Sequence, residues 1–146
     1  MTSPLSTQRA DEIRREIATV LAAPIHRHLG LKLVESGNGR SLLSFVAGPA
    51  TWMVEAGGRV HGGILALLLE PAALIAALDL LPSGRTVVTA DMHVSVMRPA
   101  PVGGEISLIG RVLRPGNSLF FCEAEAMSGG KTIASARLTK AVVDVG

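Results

Sequence analysis

Residues 57–81 read GGRVHGGILALLLEPAALIAALDLL, and from residue 64 onward nearly every position is Ala, Leu or Ile. One carboxylate, Glu70, stands in the middle of that apolar run. Packing alone does not ask for an acid there, because a buried carboxylate without a partner loses its hydration and is costly. On a helix its neighbours at three- and four-residue spacing are Ala66, Leu67, Ala73 and Leu74, none able to pair with it. Desolvation then raises the Glu70 pKa towards that of a useful base. The stretch predicts a buried helix carrying one reactive group, with a kink where Pro71 cannot donate to the Leu67 carbonyl.

Residues 64–81 also have about the minimum length for a membrane span, roughly 17–25 residues. Glu70, Pro71 and Asp79 interrupt that span, and no aromatic or basic anchors frame both of its ends. Entry through Gly62-Gly63 and exit through Pro82-Ser83-Gly84 are the punctuation of a helix in a globular core. A core helix wrapped by a sheet accounts for the same residues, and no membrane association is expected.

The 146 residues suffice for one domain with a sizeable core. Hydrophobic residues make up 48% and charged ones 18%, which predicts further burial in a homodimer or homotetramer. The formal charge is +2 with scattered positives, and three Phe, one Trp and no Tyr leave little for stacking on bases, so nucleic-acid binding is not expected. The single Cys122 excludes an internal disulfide. No apolar signal segment leads the sequence, which predicts a cytoplasmic location. His26 and His28 could share a face of an extended segment, but no third ligand lies nearby, so neither a metal nor another cofactor is expected.

Along the chain, Ile13, Ile17, Val20 and Leu21 recur at helical spacing over residues 8–21, and Pro24 ends that helix. Residues 1–23 therefore form an N-terminal tail and amphipathic helix, and 24–146 the main domain. Residues 24–30 read as a linker, 31–34 and 41–46 as short strands, and 35–40 as the turn between them. Residues 47–58 are irregular and contain Trp52. After the central helix, residues 86–98 predict a strand with Val88, Ala90, Met92, Val94 and Val96 on its apolar face and Thr89, Asp91, His93 and Ser95 on the other. Strands at 105–113, 119–127 and 132–143 follow, separated by Pro115-Gly116 and Gly129-Gly130 turns; Cys122, Ala124 and Ala126 face inward, Glu123 and Glu125 outward. One antiparallel sheet around one long helix is an α+β, hot-dog arrangement.

His61-Gly62-Gly63 before an apolar helix with an acid at Glu70, residues 86–92 opening the next strand, and Met97-Arg98-Pro99-Ala100 followed by glycine form a recognisable set. Together they resemble the hot-dog acyl-CoA thioesterases of the phenylacetate-pathway type, a group that includes 4-hydroxybenzoyl-CoA thioesterases. The resemblance covers roughly residues 24–143.

Thioester hydrolysis needs donors for the oxygen that gains charge and a group that activates or replaces water. The first turn of a helix offers unpaired N–H groups and the positive end of the dipole. Glycines at 62 and 63 let a carbonyl approach that backbone without meeting a Cβ; the alternative is that they only allow tight packing of helix on loop. The resemblance implies that Gly62 supplies the polarising N–H, with Gly63 and His61 at the substrate-binding edge, His61 ordering the loop by hydrogen bonding. It implies that Glu70 is general base or nucleophile, and it aligns Thr89 with a hydroxyl that helps orient water in some relatives. Glu55 stands where relatives often have Asn or Gln, a departure that bears on substrate preference: a second carboxylate could raise a neighbouring pKa, repel an anion, or face solvent. Arg98, Arg111 and Arg114 are candidates to meet coenzyme A phosphates.

Gly62 and Glu70 are eight residues apart, about 12 Å along a helix, so one carbonyl cannot touch both in one subunit. Two helices antiparallel about a two-fold axis would unite Gly62 of one chain with Glu70 of another. The expectation is an acyl-CoA thioesterase acting at a subunit interface. The alternatives are a non-catalytic acyl-CoA binding protein on the same fold and a hot-dog hydratase, whose usual Asp and His motif is not found.

Overall fold

Two short helices, α1 (Thr7–Ala22) and α2 (Pro24–Leu29), precede a sheet of six strands wrapped on a third, α3 (Gly62–Ala77), which a 3-10 turn at Leu78–Leu80 extends. The strands are β1 (Lys32–Gly37), β2 (Arg40–Val46), β3 (Arg85–Val96), β4 (Glu105–Arg114), β5 (Leu119–Ser128) and β6 (Lys131–Asp144). They lie in the order β1-β2-β4-β5-β6-β3, every neighbouring pair antiparallel. This is the hot-dog arrangement, in a computed structural model that describes residues 4–52 and 58–146.

α3 is helical because Ala and Leu dominate it, and it is buried because no polar face interrupts them. Leu65, Leu68, Leu69, Ala72, Ala73 and Ile75 are buried against Ile106 and Leu108 of β4 and Ala124 and Ala126 of β5. Pro71 sits inside the helix without ending it. Gly62–Leu80 is long and apolar enough by composition to cross a membrane, and 56% of that stretch is buried within this one chain.

The closest approach of helix to sheet is at Gly110 of β4. A Cβ there would collide with the main-chain carbonyl of Ala72 and stand 2.7 Å from Ser41 Oγ. Ser41 Oγ itself donates to that carbonyl at 2.7 Å, so a polar contact fixes the depth at which α3 lies.

Three elements differ from the sequence expectation. Residues 24–30 are no linker: Pro24 occupies the first turn of α2, where its missing N–H is not needed, and Gly30 closes the helix in the left-handed region at φ 72°. The β1–β2 turn is tighter than residues 35–40, with Asn38 at φ 53° and Gly39 at φ 71°, the pair of positive angles an Asn-Gly hairpin turn adopts. Asp79, just past α3, accepts the Gly39 N–H at 3.1 Å and ties that turn to the helix end. In β3 the alternation breaks, because the register slips between Thr89 and Asp91 and leaves Ala90 as a bulge.

On the far side of the core, Arg9 of α1 is buried and donates to the Leu78 carbonyl at 2.7 Å, while its guanidinium meets Glu12 at 3.0 Å.

Gly110→Ala should destabilise the fold by about 1–3 kcal/mol, since the obstacle is backbone rather than a movable side chain. Urea denaturation of the folded variant checks this; an unchanged midpoint would mean that α3 can lift from the sheet freely.

Candidate active site

The amino end of α3 is built by His61. Its Nδ1 accepts the Gly63 N–H at 2.9 Å as the helix N-cap, and the His61 main-chain N–H donates to the Thr51 carbonyl at 2.7 Å. A Cβ on Gly63 would lie 2.9 Å from that ring nitrogen, so glycine is what lets the cap close. The Gly63 N–H is therefore used within the protein. Among the described residues nothing accepts the Gly62 N–H. A Cβ on Gly62 would meet Val96 Cγ2 at 3.4 Å, ordinary contact, so packing does not demand glycine at this position. Beside it runs a groove of about 300 Å³ lined by Arg59, Leu65, Val96, Met97, Arg98 and Ala100 among others. Arg98 thus shares a surface with Gly62, and so does Arg59, which sequence reasoning passed over.

Glu70 lies farther along α3, with 34% of its side chain exposed, and it is not alone. Lys140 of β6, with 0% exposure, donates from Nζ to Glu70 Oε1 at 2.6 Å, to Thr89 Oγ1 at 2.8 Å and to the Glu70 carbonyl at 3.4 Å. An ammonium has three donors, and all three find acceptors. The Thr89 hydroxyl in turn donates a hydrogen bond to Glu70 Oε1 at 2.8 Å. Every hydrogen bond to the carboxylate goes to Oε1; among the described residues Oε2 has no partner.

This pairing overturns the expectation of an isolated acid with a raised pKa. Burial does push the Glu70 pKa up, but the Lys140 charge, the Lys140 and Thr89 hydrogen bonds and a further pull from His26 outweigh it. The carboxyl is held below its ordinary value of 4.5. Its helical neighbours cannot pair with it, as the spacing implied; the partner comes from the last strand.

Thr89 reaches Glu70 because of the Ala90 bulge. Val87 and Thr89 pair with Val142 and Lys140, whereas beyond the bulge Met92 and Val94 pair with Leu138 and Ala136. Partners directly across a ladder share a face. Thr89 therefore joins the inner face with Val87, Met92 and Val94, rather than the polar face that strict alternation gives it.

Lys140 was missed, although a signal existed. Ala134, Ala136, Leu138, Lys140 and Val142 follow one another at period two, and Ala134, Ala136, Leu138 and Lys140 are all buried.

The other candidates separate. Arg111 is on the outer face of β4, ion-paired with Glu123 at 2.7 Å and near Glu125 at 3.8 Å. Arg114, exposed, pairs in register with Phe121 past a bulge on the same outer side. Neither joins Gly62 or Glu70 within this chain. Glu55 lies outside the described residues. A larger groove of about 490 Å³, between α1 and the start of β3, is lined by Glu12, Thr19, Leu74 and Thr86 and reaches neither reactive end of α3.

Comparison with known proteins bears on the family and the fold. The family model described as "Thioesterase superfamily" matches residues 57–135. Acyl-coenzyme A thioesterase 13 of Mus musculus is 34% identical over 85 residues, 57% of this chain and 60% of that protein. The chain thus spans less than two thirds of the curated relatives' length. A thioesterase family protein from Silicibacter pomeroyi superposes with a TM-score of 0.81 at 24% identity, covering 94% of this chain and 99% of that one. The PaaI protein from the phenylacetic acid degradation operon of E. coli superposes with a TM-score of 0.74 at 18% identity, covering 92% and 95%. These two structures share the fold.

Glu70→Gln should lower stability at neutral pH, because a buried ammonium loses its counter-charge. The loss should be about 1–3 kcal/mol, towards the lower end since the carboxylate is a third exposed. A carboxyl with a depressed folded pKa stabilises fully above its unfolded pKa and loses that contribution as the pH falls through the folded value. The gap between wild type and variant should therefore close on acidification below the ordinary 4.5. Urea melts at neutral and acid pH measure it; equal stability at pH 7 would contradict the ion pair.

Proposed function

Because this chain belongs to the thioesterase superfamily, we propose that it hydrolyses acyl-CoA thioesters, taking up water and releasing the free acid and coenzyme A. The observation that supports this best is the pairing of two features on α3: among the described residues the Gly62 N–H has no acceptor, and the ionised Glu70 carboxylate has no partner at Oε2. In this reading the thioester carbonyl accepts from Gly62 N–H beside the groove, with Arg98 and Arg59 near enough to that groove to meet coenzyme A phosphates. Glu70 Oε2 takes a proton from water as its oxygen attacks the carbonyl carbon, and returns it to the departing thiolate as the C–S bond breaks. As nucleophile, Oε2 would instead attack the carbonyl carbon and expel coenzyme A thiolate as the C–S bond breaks; water then cleaves the resulting acyl anhydride to the free acid and the Glu70 carboxylate, and the proton released goes to the thiolate.

A second copy of the chain completes the site in this proposal. Gly62 and Glu70 are eight residues apart on one helix, about 12 Å. Along α3, Gly63, Leu67, Glu70 and Leu74 form a stripe that the sheet does not fully cover. β3 is an edge strand with Val88 and Val96 exposed, a template that another copy would cover. Two copies related by a two-fold axis would place Glu70 of one near Gly62 of its mate.

The second reading is an acyl-CoA binding protein without turnover. It is favoured by the engagement of Glu70 Oε1 with Lys140 and Thr89, which lowers the basicity of the carboxylate.

Thiol release from short, medium, long and aryl-acetyl CoA esters separates the two readings: hydrolysis of any of them supports the first, tight binding without release the second. Gly62→Val keeps the main-chain N–H but sets a branched side chain beside it, so turnover should fall by up to about 10²–10³, the effect of an oxyanion donor put out of reach, with a smaller change in substrate binding. Mixing inactive Gly62→Val chains with inactive Glu70→Gln chains should restore partial activity, because a mixed dimer regains one intact site. A fully active monomer would sink the shared-site arrangement.

A further inference from the structure

Lys140 has no place in the hydrolysis as described above, yet it is among the most enclosed side chains in the molecule. A lysine with 0% exposure is uncommon, because its charge must be compensated inside. Among the described residues the compensation comes from the groups around the candidate catalytic carboxylate: Glu70 Oε1 at 2.6 Å, Thr89 Oγ1 at 2.8 Å and the Glu70 main-chain carbonyl at 3.4 Å. Nζ thus grips Glu70 at both its side chain and its backbone, and through Thr89 it sets the direction of the one hydroxyl that also binds the carboxylate. We propose that Lys140 is the positioning residue of this site: it fixes the Glu70 carboxylate through Oε1 so that Oε2 alone faces the reacting water or thioester.

Geometry distinguishes this from a mere structural ion pair. Both donors converge on one carboxylate oxygen while a third of the side chain stays exposed, which leaves Oε2 open to a reacting group. The Ala90 bulge serves the same arrangement, since without it Thr89 would face away and Lys140 would lose an acceptor. Lys140 lies past residue 135, where the family match ends, so it is supplied by a part of the chain outside the matched stretch.

The groups facing the carboxylate from the packed elements are few. β6 gives Lys140 and β3 gives Thr89, and α2 gives His26, whose Nδ1 must carry a proton because it meets the Val20 carbonyl at 2.6 Å. β5 gives Cys122 beside Lys140; burial pushes its thiol up to about 11 against the pull of the ammonium, so it is neutral through the working range.

The inference rests on Glu70 being the catalytic carboxylate, and two readouts keep it separable from that reading. The first needs no turnover: ¹³C-detected titration of the Glu70 carboxyl, assigned by comparison with Glu70→Gln. In the wild type it should titrate below 4.5. In Lys140→Met it should rise by about 1–3 units, the usual effect of an adjacent opposite charge. The second is the pH–rate profile of thiol release, whose acid limb should move up with the titration, while kcat at neutral pH falls by about 10²-fold, as expected for a carboxylate out of position, and KM changes little.

A Lys140→Met protein that folds, titrates as wild type and keeps its acid limb would overturn the assignment. Should that variant not fold, a wild-type Glu70 titrating at or above its ordinary value would overturn it equally. If no acyl-CoA is hydrolysed while the titration shifts as stated, the hydrolase reading falls and the clamp on Glu70 stands.

Discussion

The depth at which α3 lies in the sheet is set where Gly110 of β4 meets the Ala72 carbonyl, with Ser41 Oγ bonded to the same oxygen. Any side chain at 110 would lift the helix. Glu70 is two residues from Ala72, and its partner Lys140 stands two strands over from β4, a sheet distance of roughly 10 Å. A helix raised by even an ångström would stretch the 2.6 Å contact between Lys140 and Glu70 out of hydrogen-bonding range within the same movement. Small residues at the crossing, Ala72 and Ala73 on the helix and Gly110 on the strand, are thus what hold an ion pair together on the other side of the helix.

Much of this was legible in the sequence because the signals are local. A 3.6-residue apolar period, period-two strands and Gly or Pro punctuation fix the element order, and with it the hot-dog arrangement. The His61-Gly62-Gly63 start of α3 and the acid at Glu70 also follow from neighbouring residues. What escaped was set by contacts across the fold. Lys140 is seventy positions from Glu70, and a lysine in a strand reads as solvent-facing until its register is known. The Ala90 bulge has no compositional mark, since alanine suits either face of a sheet. Pro24 was legible as the end of one helix but not as the start of another, because the same missing N–H serves both.

Gly62 and Glu70 lie about 12 Å apart on one helix, so the hydrolysis proposed above would need a second copy of the chain to bring them together. The Gly62 end sits against Val96 and Arg98 at the end of β3, while Glu70 sits against Thr89 near the strand's start. The edge strand that would join two copies is therefore also the strand that lines both halves. A bulge in that strand, by turning Thr89 inward, couples the geometry of the edge to the orientation of the carboxylate.

An unpaired acid in the same apolar run would be a stronger base, but much of it would be protonated near neutrality. Glu70 as found is the opposite compromise: ionised across the neutral range, fixed at one oxygen, and weaker as a base than an isolated buried carboxylate. General-base efficiency falls with basicity, so such a site places more of the burden on the electrophile. With the Gly63 N–H tied back by His61, the Gly62 N–H at the start of α3 is without an acceptor among the described residues. In the proposed reaction, polarisation of a thioester carbonyl at that donor would lower the demand on the attacking water. In the hydrolysis proposed above, a clamped, weakly basic carboxylate and an oxyanion donor at the helix start would be complementary, each compensating for what the other cannot supply.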